Sequence, residues 1–388
     1  MAIQFIDEQS DLTSAFQELR TKKQIALDLE FDKNYYRYGF NLCLMQIYDG
    51  DTCYLIDPLS NRLNTETIFP VLEDEEIIKI AFAFGEDLRL LHSLGCFPKN
   101  VYDLDNAISL LNYPPASLAN HLNDIIGIDT GKSSQMSNWY ERPLKDQQIE
   151  YAANDVRYLP ELYERLTKES QQKKVSDWIE QENRLMELQD FSETENNGFV
   201  KHKDKKHFTE KEWHIYVRLM EVREQLAEQL NKPSFKVISK EIFMEIARKP
   251  NDLNSWQNTR GIHRRLRNGK IENKLKQVIS EAEAEATQMG LSDTSSANQP
   301  PSADEREKAR TLRQKIDKAK NELFNPIKDH IDKDYGKEVS TFLFSNRIIG
   351  DIVSGAPNSL PNYKQEIIKS YAQKLNIDTE PFLNFQEN

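Results

Sequence analysis

The chain has 388 residues, of which 38% are hydrophobic and 29% charged, a balance that suits two or three globular domains and not a disordered chain. No apolar run approaches the ~18 residues of a membrane span, the first residues are acidic where a secretory leader is basic, and three cysteines (Cys43, Cys53 and Cys96) are too few for a disulfide framework. The expectation is a protein of the cytoplasm with buried thiols and no membrane partner. The net charge of −12 speaks against a polyanionic partner only on average: residues 1–170 hold 15 Lys and Arg against 28 Asp and Glu, and residues 200–280 hold 19 against 10. The acidic part suits metal ions and the basic part a polyanion, although solvated helix faces give the same imbalance.

In chain order, residues 25–29, 42–48, 52–56 and 77–83 read as strands, with Asp49-Gly50-Asp51 as a hairpin turn. Residues 86–94 read as a helix, because Leu88, Leu91 and Leu94 recur at a spacing of three and Gly95 stops it. Residues 103–111 and 145–168 are two further helices. The fold class is α/β, an antiparallel meander leading into a parallel addition. Beyond about residue 170 only helical periodicity remains. Residues 210–230 form an amphipathic helix with Trp213, Tyr216, Val217, Met220 and Leu226 near one face, broken by Asn231-Lys232-Pro233. Shorter helices follow to about residue 286. Residues 289–303 have linker composition, and a second helical unit fills residues 304–388. The expected division is 1–170, a connector 171–204, a helical domain 205–288, the linker, and a second helical domain.

Asp28 and Glu30 are two apart on a strand, so they share a face. Two neighbouring carboxylates repel and are costly to bury, a cost that a hard divalent cation relieves; exposed acids at a strand end are the commoner case. Asp87 stands near a helix start, where an acid also serves the macrodipole. Tyr151 and Asp155 are one helical turn apart, so a phenol and a carboxylate face one place. Gly131-Lys132-Ser133 mimics the end of a phosphate-binding loop, but position 126 is Ile where that motif needs Gly. The seven histidines show no zinc spacing.

Taken together, Asp28-x-Glu30, Asp87 and Tyr151-x-x-x-Asp155 resemble the DEDD exonuclease superfamily, in its subgroup with tyrosine in the third motif. Six words are similar to ribonuclease D: Ile25-Ala26-Leu27-Asp28-Leu29-Glu30-Phe31, Leu42-Cys43-Leu44-Met45-Gln46-Ile47, Leu55-Ile56-Asp57-Pro58-Leu59, Gly85-Glu86-Asp87-Leu88, Trp139-x-x-Arg142-Pro143-Leu144 and Gln148-Ile149-Glu150-Tyr151-Ala152-Ala153-Asn154-Asp155-Val156-Arg157-Tyr158-Leu159. Residues 200–285 resemble an HRDC helical domain and 303–384 a diverged second copy. The resemblance implies a ribonuclease H-like 3′–5′ exonuclease domain, a mixed sheet flanked by helices, followed by two all-α HRDC-like domains. It further implies two divalent ions, Mg²⁺ or Mn²⁺, held by Asp28, Glu30, Asp87 and Asp155, with Tyr151 orienting the attacking water. The substrate would be RNA 3′ ends, tRNA precursors among them, and the protein a monomer.

The basic run Arg260, His263, Arg264, Arg265, Arg267 and Lys270, with Lys201, Lys203, Lys205 and Lys206, is the candidate for phosphate contacts; solubilisation is the alternative. Trp139 and Tyr140 stack near a base or, for Trp139 the favoured reading, pack in the core. Leu29, Phe82, Leu104 and Asn138 depart from the family pattern, which bears on the ligands' surroundings and on substrate preference. The same chemistry on DNA and a non-catalytic RNA-binding scaffold are the competing readings.

Overall fold

In the computed structural model, which describes residues 2–131, 137–189, 191, 199–250, 253, 256–294, 303–356 and 360–383, the chain opens with a six-stranded sheet in the order β1-β4-β3-β2-β5-β6. The central strand β2 (Gln24–Lys33) buries Ile25, Ala26, Leu27 and Leu29, the near-continuous apolar run expected of a strand covered on both faces. β3 (Phe40–Tyr48) and β4 (Thr52–Ile56) pair antiparallel. The Asp49 carboxylate fixes their turn by accepting the amides of Asp51 and Thr52 at 2.9 and 2.8 Å. β5 (Ile78–Ala81) adds parallel to β2, as the meander-plus-parallel reading anticipates.

Two strands are additional to that reading. β1 (Ala2–Ile6) pairs parallel with β4 and buries only Ile6, so it carries no hydrophobic alternation. β6 (Val101–Asp103) is three residues long and pairs with β5. Asp103, expected as the first residue of a helix, ends β6 and caps the next helix.

The helices of this region are α1 (Gln9–Leu19), α2 (Phe69–Leu72), α3 (Gly85–Ser93), α4 (Leu104–Leu110), α5 (Leu118–Ile126), α6 (Asp146–Arg157), α7 (Leu159–Lys173) and α8 (Ser176–Glu187). The single helix expected over 145–168 is thus two, joined at Tyr158. Pro160 explains the break, since its ring clashes with the carbonyl four residues back and it has no N–H to donate.

Two compact units emerge. The first holds Met1–Glu30, Leu42–Gln189 and Ala303–Asn388; the second holds Phe31–Asn41 and Asp190–Ser302. In the first unit, α13 (Ala303–Ala319) continues through a π-helical turn (Lys320–Phe324) into α14 (Asn325–Asp334), followed by α15 (Lys337–Leu343), α16 (Asn346–Ser354) and α17 (Asn362–Leu375). These helices share one core with the α/β region: Leu323, Phe324, Ile327 and Phe344 belong to the same cluster as Leu162 and Ile179. α8, which the sequence suggests as part of a connector, supplies the seam. Trp178 packs on Tyr335 with ring centroids 5.0 Å apart, and Lys364 Nζ meets Glu182 Oε1 at 2.9 Å.

In the second unit α9 (Glu210–Leu230) has the bounds read from sequence. Thr209 and Glu212 cap its start reciprocally (3.1 and 2.8 Å), and Asn231 ends it at φ +47°. α10 (Ser234–Val237), α11 (Lys240–Arg248) and α12 (Gly269–Gln288) complete the unit. α12 has 20 residues, one fewer than α9, and ends at Gln288. The joints at Asn196-Asn197-Gly198 and Pro300-Pro301, like Lys132 and Ser133, lie outside the described residues.

Candidate active site

β2 places Asp28 and Glu30 on one face, and α6 brings Asp155 to it: a carboxylate oxygen from each of the three lies within 4.8 Å of the others. Asp87, in the first turn of α3, joins the group. Its charge acts on both Asp28 and Glu30, and the Leu29 N–H is hydrogen-bonded to it. Asp28 and Asp155 are half-buried, while Glu30 and Asp87 are 8% exposed each. Asp87 Oδ1 is buried with no hydrogen-bond partner among the described residues.

Burial is the largest influence on every member of the cluster, and repulsion from the other acids is added to it at Asp28 and Glu30. Asp28 is pushed well above the usual carboxylate range by burial and then by Asp87 and Asp155. Glu30 is pushed well above it by burial, then by Asp28, Asp155 and Asp87. Burial raises Asp87 and Asp155 to about 7. Tyr151 hydrogen-bonds to Asp155, and burial with the surrounding negative charge drives its phenol strongly upward, so it stays protonated. Among the described residues no cation is a main influence on the four acids. Clustered carboxylates with one orphaned oxygen form an all-oxygen donor set that fits hard divalent ions.

Sequence reasoning missed the support behind Asp87. The buried Asp103 carboxylate accepts the amides of Ala83 (2.8 Å) and Phe84 (2.9 Å), and also caps α4 through Asp105 N–H (2.9 Å). Phe84 is the N-cap residue of α3. The available signal was weak, one Asp at an expected helix start. A second support joins two of the words quoted above. Arg142 donates Nε to Asp57 Oδ2 and Nη2 to Asp57 Oδ1, both at 2.7 Å, and its remaining donors reach the carbonyls of Cys43, Trp139 and Glu141. Trp139 is 4% exposed in the core, as favoured, with its ring 6.0 Å from that of Tyr151.

The basic candidates belong to the second unit. Arg260, Arg264, Arg265, Arg267 and Lys270 are exposed, and His263 is half-buried with Nδ1 accepting the Arg265 amide at 3.4 Å. Lys201, Lys203, Lys205 and Lys206 are exposed as well.

The sequence model of a family described as 3′–5′ exonuclease matches residues 3–171, the part of the chain that holds the sheet and the acidic cluster. Among individual relatives, ribonuclease D recurs. The protein of that name from Bartonella henselae is 30% identical over 250 residues, covering 63% of this chain and 61% of that protein. The one from Pseudomonas paraeruginosa is 33% identical over 166 residues, 42% and 43% of the two chains. The exosome complex exonuclease RRP6 of Saccharomyces cerevisiae is 31% identical over 163 residues, 42% of this chain and 22% of its own length. The alignments therefore span less than two thirds of each of these relatives. In fold, the chain is similar to Escherichia coli RNase D, described as an exoribonuclease involved in structured RNA processing, with TM-score 0.71 and 21% identity over 96% of this chain and 99% of that one. No described helix is long and apolar enough to cross a membrane.

Proposed function

We propose that this chain is a metal-dependent 3′–5′ exoribonuclease of the ribonuclease D type, which removes 5′-mononucleotides from RNA 3′ ends, tRNA precursors among them. The convergence of Asp28, Glu30 and Asp155 within 4.8 Å, beside Asp87 with its orphaned oxygen, carries this reading. The names and activities of the relatives support it. In the reaction a water oxygen bonds to the terminal phosphorus and the P–O3′ bond breaks. The products are a nucleoside 5′-monophosphate and a new 3′-hydroxyl.

Two divalent ions, Mg²⁺ or Mn²⁺, held by Asp28, Glu30, Asp87 and Asp155, would supply water activation and neutralise charge on the phosphate. Asp28, whose carboxyl feels both Asp87 and Asp155, would be one of the groups holding these ions. Tyr151, which keeps its proton and hydrogen-bonds Asp155, would orient the attacking water and not act as a free base. Residues 205–288 and 304–388 are read as HRDC-type modules. Arg260, His263, Arg264, Arg265, Arg267 and Lys270 are read as phosphate contacts that hold the RNA body. A cytoplasmic monomer completes the proposal.

The test is incubation of the purified protein with 3′-hydroxyl and 3′-blocked RNA and DNA oligomers. With Mg²⁺ or Mn²⁺ the free-ended RNA is expected to shorten by single nucleotides, EDTA to stop it, and Asp28→Asn to abolish cleavage while binding persists. Full activity in EDTA, or none with either metal, refutes the proposal.

A further inference from the structure

Outside the acidic cluster, the second unit gathers aromatic rings around one amine. Tyr35, Tyr36 and Phe235 are 57%, 37% and 55% exposed. Lys236 Nζ stands 5.2, 5.9 and 5.5 Å from their three ring centroids, and donates to the Tyr35 carbonyl at 2.7 Å. The two tyrosine rings meet edge to face, 4.8 Å apart. Large aromatic side chains normally bury most of their area, so three displayed around a single ammonium call for a ligand with both flat faces and negative charge.

The loop that presents the tyrosines is held in shape. The buried Asp32 carboxylate accepts the amides of Tyr35 (3.0 Å), Tyr36 (3.1 Å) and Arg37 (2.8 Å), and Asn34 N–H donates to the Gly39 carbonyl at 2.8 Å. A ligand landing there has little loop entropy to overcome. We propose that Tyr35, Tyr36, Phe235 and Lys236 form a stacking platform for bases of single-stranded RNA, with Lys236 meeting the backbone phosphate.

Three observations select a nucleic acid strand. Every base offers a π-face to a ring, whatever the sequence. A cation at the centre of the patch suits a phosphodiester and would be costly to cover with an apolar protein face. Residues 200–280, from which Phe235 and Lys236 come, are net basic, 19 against 10. The inference rests on the exoribonuclease reading for the identity of the strand.

The experiment uses the full chain, in EDTA so that nothing is cut, and a single-stranded RNA of about 12 nucleotides carrying 2-aminopurine at internal positions. Wild type is expected to quench the fluorophore on binding. Tyr35→Ala and Phe235→Ala are each expected to weaken binding about 5- to 100-fold and to lose the quench. Tyr35→Phe, which keeps the ring, is expected to bind as wild type, and circular dichroism checks that each variant is folded. With Mn²⁺ present, the alanine variants should raise KM for this RNA and leave dinucleotide hydrolysis unchanged. Folded alanine variants that bind and quench like wild type overturn the platform, as does tighter binding of the DNA strand of the same sequence. If the platform variants lose binding while wild type hydrolyses no free RNA end with either metal, the platform stands and the exoribonuclease reading falls.

Discussion

The carboxylate of Asp103 holds the backbone amide of Phe84 at 2.9 Å, and through it the start of the helix that carries Asp87. Its other oxygen holds Ala83, whose φ of +53° lies in the left-handed region that costs a residue with a β-carbon ~1–2 kcal/mol. Asp103 thus stabilises an unfavourable turn just before a candidate metal ligand. Asp103→Asn keeps the size but replaces one acceptor with a donor facing an N–H. Calorimetric titration with Mn²⁺ should show affinity reduced by about 10- to 100-fold, the usual effect of losing a group that orients a ligand. Unchanged Mn²⁺ affinity in the folded variant would remove this role.

The acidic cluster gives the metal-free protein a definite pH dependence. Asp87 and Asp155 sit at about 7 and Asp103 at about 6, all raised above the ordinary aspartate value. A raised carboxyl binds its proton more tightly in the folded state than in the unfolded one. Between the ordinary value and the raised one, folding is therefore favoured by acid. In EDTA the melting temperature should rise as pH falls from 8 toward 5, with Mg²⁺ flattening the slope. Melting curves across that range, with Asp87→Asn as a control of shallower slope, decide the matter. A melting temperature that falls over the same interval would contradict it.

Arg142 and Asp57 form a two-pronged ion pair in which the carboxylate side chain is 6% exposed. Arg142→Ala leaves that acid enclosed without its cation, at a cost of about 3–5 kcal/mol. Urea unfolding of the metal-bound protein measures the loss. Arg142→Lys keeps the charge but cannot supply the parallel donors, and should recover only a part.

Gly336 is required by both its backbone and its neighbour. It has a φ of +103°, and a β-carbon there would lie 2.1–2.3 Å from the Asn112 side chain, whose Oδ1 accepts the Glu338 amide at 3.0 Å. Gly336→Ala should destabilise the first unit by about 2 kcal/mol, read as a lower urea midpoint. Adding Asn112→Ala relieves the clash but not the backbone strain, so the double variant should recover incompletely.

Where local chemistry and tertiary structure agree, the sequence was readable. Asp49-Gly50-Asp51 makes its turn from its own side chain, Thr209 and Glu212 cap α9 from within four residues, and Asp28 and Glu30 share a face by strand geometry alone. The unread parts depend on distant partners. β1 is an edge strand with one buried residue, and β6 is too short for any periodicity. The role of Asp103 depends on amides 19 and 20 residues away. The rings of Tyr35 and Tyr36 stand about two hundred positions of chain from that of Phe235, and Lys236 joins them. The resemblance to a family supplied the expected roles of the acids, while their convergence depends on β2 and α6 meeting in the fold.

The seam at α8 has a practical consequence for dissecting the molecule. Because Trp178, Glu182 and Asn112 meet partners from residues 335–364, a gene shortened to end near residue 302 would leave an oily wound on the remaining α/β body. A truncated product that clumps or dies would then report a spoiled interior, and say nothing about whether the missing tail touches nucleic acid.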